Sequence, residues 1–404
     1  MQQTFQFNKR TSRDEILEDL FAAYFDARKN KRNTINALAF ERNFEVKIFH
    51  LFDEIMTRSY KPKPGICFIV DKPVKREIFA ADFRDRVIHH FIYNYIYPVF
   101  EKVLIWDTYS CRKGKGVHYG IKRANHFIRS CSQNYKKDCY ILKLDIKSYF
   151  MSMRRDILYK IVEKELIARK EKIGFDLPLV LYLVKETIFN DPTVNCFIKG
   201  TRKDWEGLPP SKSLFNAKHC CGLPIGNLTS QLFGNTYLND FDHFIKRNLK
   251  LKYYGRYVDD LIIINEDSNY LKKVIPEIRN YLKRELHLEL HPNKIFLQHF
   301  SKGVKYLGVV IKPYRIYISN ETKGNFYSFL NKHRREAGII LNTEEEKKHK
   351  FQSTVNSYLG IMSHFSTFRI RRKIIQSFLA NQNSFCVSSE FLRIIKNQAK
   401  DTSH

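Results

Sequence analysis

Apolar residues recur at spacings of three and four near the start of the chain. The stretches EILEDLFAAYFDARK and FEVKIFHLFDEIMTRSY, between residues 14 and 60, both show this spacing, which predicts helices. The pattern changes in KPKPGICFIVDKPVKREIFAA, where Pro and Gly are mixed with β-branched residues and predict short strands. Helical spacing resumes in DFRDRVIHHFIYNYIYPVFEKVL.

Strands and tight turns are predicted further along the chain. YILKLDIKSYF predicts a buried strand that runs into a turn, and LKYYGRYVDDLIIINE predicts two strands around a tight turn. VKYLGVVIKPYRIYIS predicts a hairpin. Between these segments, residues 156–190 have helical spacing and residues 190–221 are irregular.

The last part of the chain, from about residue 320, is predicted to be helical and very basic, as in HFSTFRIRRKIIQSFL. No internal repeat or coiled-coil pattern is visible. Mixed helices and antiparallel strands indicate an α+β fold and argue against a doubly wound sheet.

Composition and charge narrow the class of partner. The 404 residues allow two or three domains, and 43% hydrophobic and 14% aromatic residues exclude a disordered chain. A net charge of +28 concentrates polyanions, so nucleic acid is the expected partner and a membrane surface is the rival. No apolar run approaches the ~20 residues of a spanning helix, and the N-terminus lacks a signal-peptide core, so we expect no membrane partner and a cytoplasmic location.

Two adjacent carboxylates, Asp259 and Asp260, stand at the tip of the predicted hairpin, directly after Tyr257 and Val258. A solvated turn is the simpler interpretation, because Asp is a normal turn residue. The flanking strands are apolar, however, and oxygen ligands beside a dry sheet suit a hard cation such as Mg²⁺.

A third carboxylate, Asp145, ends the apolar strand of YILKLDIKSYF. A helix cap at the strand end is the structural alternative. Together with Asp259 and Asp260 it gives two strand-borne acidic sites in one basic chain, as two-metal phosphoryl transfer requires. The predicted reaction is nucleotidyl transfer, with in-line attack of a 3′-hydroxyl and departure of pyrophosphate.

A Gly/Pro turn at residues 222–231, GLPIGNLTSQ, leads into a segment with helical spacing. Glycine lets the backbone approach a ligand closely, and Ser or Thr at a helix start offers hydrogen-bond donors. A plain loop-to-helix connection is the alternative. The candidate substrate contacts in this turn are Gly222, Pro224, Ile225, Gly226, Ser230 and Gln231.

Taken in order, these motifs resemble those of a reverse transcriptase over about residues 60 to 310. Asp145 and Phe150 match the first palm motif, the segment from Tyr257 to Asp260 matches the YxDD box, and the glycine turn matches the segment before a palm helix. The resemblance implies a right-hand polymerase with an antiparallel-sheet palm, helical fingers and a helical thumb. It implies that the three aspartates hold two Mg²⁺ ions, with Mn²⁺ as an alternative, and that Tyr257 contacts substrate.

The same resemblance gives domain boundaries. It implies an N-terminal region and fingers at 1–135, a palm at 136–314 with an insertion at about 156–221, and a basic thumb at 315–404. The basic run Arg369, Arg371, Arg372 and Lys373 would suit a thumb along a duplex backbone. It would equally suit a structured RNA or an acidic partner.

Further motifs imply roles for single residues. KPVKREIFAADFRDRVIHH resembles the fingers motif of group II intron-like members, so Arg76, with Lys72 or Lys75, would clamp the triphosphate of the incoming dNTP. LHLELHPNKIFLQHF resembles the last palm motif, which makes Lys294 a candidate proton donor, with a surface lysine as the alternative. Phe150 would leave no room for a ribose 2′-hydroxyl; core packing is its alternative role.

One segment points to a subfamily. LPIGNLTSQ and WEGLPPSKSLF resemble reverse transcriptases of diversity-generating retroelements, because Ile225 replaces a common glutamine and Ser230-Gln231 replaces an intron-type Ser-Pro. This implies a bacterial or phage enzyme that copies a template RNA into cDNA with errors at template adenines and works with a small, basic, ring-forming accessory protein. The alternatives are a retron or intron-type enzyme, a viral-type RNA-directed RNA polymerase and a non-catalytic RNA-binding protein.

Overall fold

The computed structural model describes residues 11–29, 31, 34–71, 74–340, 345–379 and 385–396. The candidate Lys72 lies outside the described residues. The chain divides into two compact units: unit 1 comprises Met1–Arg123 with Leu142–Leu297, and unit 2 comprises Ala124–Ile141 with Gln298–His404. The boundaries of fingers, palm and thumb stay a prediction. No helix in the described residues is long and apolar enough to cross a bilayer.

Helices are interspersed with strands that pair mostly antiparallel, which confirms the α+β prediction. The α-helices of the described residues are α1 Arg13–Arg28, α2 Ile35–Glu41, α3 Phe44–Met56, α4 Phe83–Val103, α5 Val117–Cys131, α6 Tyr149–Ser152, α7 Arg155–Ile167, α8 Leu177–Phe189, α9 Leu228–Thr236, α10 Asn239–His243, α11 Ser268–Glu285, α12 Asn320–Ile340, α13 Glu345–Ser363 and α14 Phe368–Leu379. The strands are β1 Gly65–Val70, β2 Arg76–Ala80, β3 Tyr140–Asp145, β4 Cys196–Ile198, β5 Tyr253–Tyr257, β6 Asp260–Asn265, β7 Phe296–His299, β8 Val304–Tyr306, β9 Val309–Lys312, β10 Arg315–Ile318, β11 Phe385–Val387 and β12 Ile394–Lys396.

The N-terminal helices follow from apolar spacing and capping. Ser12 and Glu15 form a capping box at the start of α1, in which the Ser12 hydroxyl accepts from the Glu15 amide and the Glu15 carboxylate accepts from the Ser12 amide. The buried face of α1 packs against α4. The predicted helices at α1, α3 and α4 are confirmed, and α2 is an additional short helix between them.

A three-stranded sheet in unit 1 has the order β2-β1-β4. Strands β1 and β2 lie in the stretch predicted to form short strands; they pair antiparallel, whereas β4 pairs parallel with β1. Strand β4 lies within the stretch predicted to be irregular. Its three residues are too few to show a strand pattern, and only the pairing with β1 makes them a strand.

The buried carboxylate of Glu77 on β2 fixes the rest of that irregular stretch. It accepts hydrogen bonds from Trp205 Nε1 at 2.6 Å, from Ser213 Oγ at 2.7 Å and from the Leu214 amide at 2.6 Å. A buried carboxylate is costly unless it is hydrogen-bonded. These hydrogen bonds therefore attach the segment WEGLPPSKSLF to β2.

A four-stranded sheet has the order β5-β6-β3-β7. The predicted hairpin is confirmed: β5 and β6 pair antiparallel, with Tyr257 opposite Asp260. Residues 261–264 of β6 are all buried, because this strand lies between β5 and β3 and reads as a continuous apolar run. Asp145 ends β3, Asp259 lies in the hairpin turn and Asp260 begins β6.

Unit 2 contains a three-stranded meander, β8-β9-β10, where the sequence predicts one hairpin. The turn between β8 and β9 contains Leu307 and Gly308, and the turn between β9 and β10 contains Tyr314; all three residues have positive φ. Helices α12 to α14 contribute to a separate apolar core around Phe326, Leu359 and Ile375.

The prediction that the chain is helical throughout from residue 320 is wrong for β11 and β12, which pair antiparallel. Phe385 and Ile394 of these strands are buried in the helical core, so packing stabilises strands of only three residues. The α14 helix is confirmed. Arg371 is buried and donates to the carbonyls of Glu390 and Phe391, so it is not available to bind a nucleic-acid backbone.

Candidate active site

The turn between β5 and β6 consists of Val258 and Asp259. Val258 has a φ of 55°, in the left-handed region that β-branched residues rarely adopt. The Arg256 guanidinium donates to the Val258 carbonyl at 3.0 Å. Backbone strain of this kind persists only where the surroundings impose it, and it concentrates at functional sites.

A fully buried ion pair supports this turn. Arg256 Nη2 lies 2.6 Å from Asp242 Oδ2, and both side chains are 0% exposed. Tyr254 donates to the same carboxylate at 2.5 Å, and Arg256 also donates to the Asn235 carbonyl at 3.1 Å. Burial by itself would lower the pKa of Arg256, but the neighbouring Asp242 raises it above its usual value.

Backbone hydrogen bonds bring Asp145 beside the turn. The Ile146 amide, one residue after β3, donates to the Asp259 carbonyl at 3.2 Å. On the other side, the His291 amide donates to the Asp145 carbonyl at 2.8 Å. The two acidic sites, more than a hundred residues apart in sequence, are therefore adjacent in space.

Two lysines partly neutralise these carboxylates. Lys294 Nζ donates to both carboxylate oxygens of Asp145 at 3.0 Å, and Lys143 Nζ lies 3.1 Å from Asp260 Oδ1. Among the described residues, no ion pair joins Asp259 to a cation. Burial, and next the charges of Asp260 and Asp145, raise the pKa of Asp259 to about 6. Three carboxylates and two lysines leave an excess of negative charge.

The donor atoms of this set are chemically suited to a divalent cation. Carboxylate oxygens are the ligands that Mg²⁺ prefers. The pKa of Asp259 is raised by burial first and next by the negative charges of Asp260 and Asp145, which a cation would offset. In the described residues, no three His, Cys, Asp or Glu side chains converge closely enough to hold a metal ion. Asp145 and Asp260 are instead bonded to Lys294 and Lys143, which would have to release them for a cation to bind.

Phe150 lies on α6, five residues after Asp145, and its ring lies against Gly234 of α9. A Cβ atom at Gly234 would be 3.2 Å from two ring carbons of Phe150, so that position leaves little room for a side chain. Phe150 is half-buried and packs with Ile225 against one small apolar cluster that includes Met151 and Leu214. Core packing is thus a real part of the role of Phe150.

The glycine turn docks on β2. The Phe79 amide donates to the Ile225 carbonyl at 2.8 Å. Gly226 has a φ of 127°, and a Cβ atom there would lie 2.9 Å from Ile78 Cγ2. Gly222 has a φ of 91°, where a Cβ atom would lie 2.4 Å from Leu214 Cδ1. Both positions therefore require glycine.

The rest of the turn leads directly into α9, so the loop-to-helix alternative describes part of its role. Pro224 is half-buried, Ser230 is buried on the first turn of α9, and Gln231 beside it is exposed. The neighbouring Thr229 hydroxyl lies 2.7 Å from Nδ1 of the buried His89 on α4. Of these residues, Gln231 is open to a ligand.

Tyr257 and Arg76 lie close enough to interact. Burial raises the pKa of the half-buried Tyr257, and the Arg76 charge acts in the opposite direction. Arg76 is exposed. Lys75, by contrast, donates to the Glu206 carbonyl at 2.6 Å and lies 3.4 Å from Asp71, so its ammonium group is already engaged.

Sequence reasoning missed Lys143, Glu77 and the Arg256–Asp242 pair. Lys143 precedes Asp145 by two residues, so the alternation along β3 places both on one face and could have revealed it. Arg256, a charge inside an apolar strand, was a second available signal. No sequence signal pointed to Glu77, because its hydrogen-bond partners lie more than 120 residues away along the chain.

Comparisons with known proteins agree with the family resemblance of the sequence motifs. The family model described as "Reverse transcriptase (RNA-dependent DNA polymerase)" matches residues 62–311. Protein YkfC of Escherichia coli (strain K12) is 20% identical over 308 residues, which cover 68% of this chain and 73% of that protein. The putative COX1/OXI3 intron 2 protein of Saccharomyces cerevisiae is 32% identical over 78 residues, which cover 17% of this chain and 9% of that protein.

Solved structures of telomerases are also similar. Apo telomerase from Candida tropicalis, truncated from the C-terminal domain, has a TM-score of 0.46 and 13% identity, over 64% of this chain and 55% of the telomerase. Telomerase from Candida albicans, in complex with a fragment of telomeric RNA, has a TM-score of 0.45 and 12% identity, over 81% of this chain and 58% of the telomerase. The chain thus spans a little over half of each telomerase chain.

Proposed function

Because the chain belongs to the reverse transcriptase (RNA-dependent DNA polymerase) family, we propose that it copies a template RNA into cDNA by two-metal nucleotidyl transfer. Asp145, Asp259 and Asp260 would hold the two ions once Lys294 and Lys143 release Asp145 and Asp260. The observation that carries this proposal is the hydrogen bond from the Ile146 amide to the Asp259 carbonyl, which sets the strand-end aspartate beside the paired aspartates.

Divalent ions, when bound, activate the attacking hydroxyl and offset charge on the leaving pyrophosphate. The protein's residues have the remaining roles. The buried Arg256–Asp242 pair holds the turn rigid, so the carboxylates are positioned in advance. Lys294, once it leaves Asp145, is the proton donor to pyrophosphate. The exposed guanidinium of Arg76 binds the triphosphate.

The proposed right-hand arrangement assigns the basic C-terminal helices to a thumb along the template–cDNA duplex. Arg369, Arg372 and Lys373 on α14 are exposed and can contact phosphates. Arg371 is excluded from this role because its guanidinium is bonded to backbone carbonyls. A ring-forming accessory protein remains the proposed partner, on the basis of the subfamily resemblance.

We propose further that the enzyme makes errors at template adenines and serves a diversity-generating retroelement. Ile225 supports this proposal, because an apolar side chain cannot offer the hydrogen bonds with which a glutamine would orient the incoming nucleotide. Its carbonyl is fixed by the Phe79 amide, while its side chain packs, as Phe150 does, against the apolar cluster that includes Met151 and Leu214. Selectivity that depends on polar contacts is therefore weakened.

The first experiment is divalent-metal-dependent extension of a primed RNA template with dNTPs. Wild type should make cDNA, and Asp259→Asn should reduce the rate by about 10³-fold or more, because a metal ligand is lost. Asp138→Asn, which changes an aspartate with a 79% exposed side chain, is the matched control and should extend normally. Equal activity of wild type and Asp259→Asn would contradict the proposal.

Sequencing the cDNA tests the subfamily. Errors in the wild-type product should concentrate opposite template adenines, and Ile225→Gln should reduce them. Accurate wild-type cDNA would indicate a retron or intron-type enzyme instead. An unchanged adenine error rate in Ile225→Gln would contradict the role given to this side chain.

Sugar selectivity tests Phe150. Phe150→Ala should admit ribonucleotides, since it removes the ring that would contact a 2′-hydroxyl. The ratio of kcat/KM for dNTP and NTP measures this directly. If Phe150→Ala loses stability but keeps its sugar preference, Phe150 is a packing residue only.

A further inference from the structure

Unit 2 contains a cavity of about 460 Å³ outside the acidic site. It is lined mainly by amide, arginine and tyrosine side chains: Asn125, Arg129, Asn134, Tyr135, Tyr314 and Arg315. All lining residues are described by the structure, and none of them is acidic. A cavity of this size can hold one nucleotide-sized ligand.

The two tyrosines of the cavity form an aromatic surface. The Tyr135 ring is stacked on Phe300 with a centroid distance of 5.9 Å, and the Tyr314 ring meets Tyr135 edge-on at 4.6 Å. Tyr314 is 84% exposed, so nearly all of its remaining ring surface faces solvent. Exposed aromatic rings of this kind are platforms on which unpaired bases stack.

The backbone under the cavity is strained. Gln133, Asn134 and Tyr135 have consecutive φ values of 48°, 58° and 69°, and Tyr314 has a φ of 61°. Each left-handed residue costs roughly 1–2 kcal/mol. The buried Ser132 holds the first three in place, since its hydroxyl accepts from the Tyr135 amide at 2.9 Å and donates to the Ile128 carbonyl at 2.7 Å. Strain that is held this firmly is typical of binding sites.

Polar groups of the cavity complement a nucleotide. Arg129 Nη2 donates to Asn134 Oδ1 at 3.0 Å, so this amide accepts through its oxygen and can donate to a base edge through its NH₂ group. The exposed Arg315 guanidinium lies over the Tyr317 ring, 4.9 Å from its centroid. Arg129 and Arg315 together provide positive charge for a phosphate.

We propose that this cavity binds an unpaired nucleotide of a single-stranded RNA segment. The base stacks on Tyr314, and the adjoining phosphates contact Arg129 and Arg315. The Tyr314 turn lies at the opposite end of β9 from the Leu307–Gly308 turn, so this site is a separate feature of the meander. RNA binding here does not require catalysis, and its test is independent of the polymerase assay.

Binding of a fluorescent, unstructured RNA oligonucleotide of about a dozen nucleotides to the full chain tests the proposal. Tyr314→Ala should weaken binding roughly 5- to 100-fold, the range for loss of one base–aromatic stack. Tyr314→Phe keeps the ring and should bind within about twofold of wild type. Tyr327→Ala, which removes a 41% exposed tyrosine of α12 in the same unit, is the matched control and should bind normally.

Photocrosslinking locates the contact independently of affinity. A 5-iodouridine form of the same RNA should crosslink to the peptide that contains Tyr135 or to the one that contains Tyr314. Crosslinks confined to unit 1, wild-type affinity of Tyr314→Ala, or equal losses in Tyr314→Ala and Tyr314→Phe would each overturn the proposal. Free AMP that binds as tightly as the oligonucleotide would assign the cavity to mononucleotides and overturn the RNA assignment.

Discussion

Two clusters of charged side chains lie at the β5–β6 hairpin, and they differ in whether their charges are balanced. Asp242 and Arg256 form a complete pair: both are 0% exposed, and Tyr254 supplies a further hydrogen bond to the carboxylate. A few residues away, Asp259 has two carboxylate neighbours, Asp145 and Asp260, and a pKa raised to about 6. The first cluster is neutral as a whole, and the second keeps an excess of negative charge.

The difference separates a structural charge from a functional one. A buried pair with all its hydrogen bonds made has nothing further to bind, and it fixes the geometry of its neighbours. A cluster with unbalanced charge is unfavourable by itself and is expected where a cation or substrate supplies the balance. Within one hairpin, Arg256 joins the two, because it pairs with Asp242 and donates to the carbonyl beside Asp259.

The largest expected difference in stability is between Asp242→Asn and Asp259→Asn. Asp242→Asn leaves the Arg256 guanidinium buried without its carboxylate and should lower the free energy of unfolding by about 3–5 kcal/mol. Asp259→Asn removes a carboxylate that is held above its usual pKa, so at pH 7 without metal it should be neutral or stabilising, by up to about 3 kcal/mol. Urea unfolding at pH 7 measures both.

A matched control for Asp242→Asn is Asp240→Asn, because both residues lie on α10. Asp240 is 40% exposed and lies 3.3 Å from Lys164, so its loss should cost less than about 1 kcal/mol. If Asp259→Asn destabilises as much as Asp242→Asn, the distinction between the two clusters fails.

A third buried group, His89, sharpens the comparison because it is kept neutral. Burial, and next the nearby His90 charge, lower the pKa of His89 to about 3. In the unfolded state His89 has a pKa near 6.5, so it binds a proton that the folded state does not bind. The free energy of unfolding therefore falls as the pH drops from about 6.5 towards 3. Between pH 7 and 5 this loss should be about 2 kcal/mol.

His89→Gln should remove that part of the acid sensitivity while keeping a polar partner for Thr229. The measurement is the difference in unfolding free energy between pH 7 and 5, taken for wild type and variant. Wild type and variant are compared over the same two pH values because burial raises the pKa of Asp85 to about 6. This second shift raises the stability of the folded state as the pH falls, and it does so in both proteins. Equal pH dependence in the two proteins would show that His89 is not the source.

The smallest effect concerns Lys143. Lys143→Met removes the cation beside Asp260 and should lower stability by about 1 kcal/mol without metal. Because Lys143 competes for that carboxylate, Mg²⁺ should raise the melting temperature of Lys143→Met more than that of wild type. Lys147→Met is the control, since Lys147 is 50% exposed and lies 3.6 Å from Glu289. Equal Mg²⁺ shifts in all three proteins would argue against competition at Asp260.

Local pattern was sufficient for much of the fold. Apolar spacing predicted α1, α3, α4 and α14, and the apolar runs around Asp259 predicted β5 and β6. It failed where an element is short and depends on a distant partner. The three-residue strands β4, β11 and β12 exist because β1 and the helical core are there to pair with or pack against them.

The sequence by itself determined the family, the α+β class and the aspartates as candidates, since motif order and residue type are properties of the chain. The tertiary structure decided which charges are balanced. It pairs Lys143 with Asp260 and Lys294 with Asp145, and it pairs Arg256 with Asp242. It also showed Arg371 buried and built the tyrosine cavity from residues 125–135 and 314–316. Charge compensation and burial depend on distance in space, which spacing along the chain does not give.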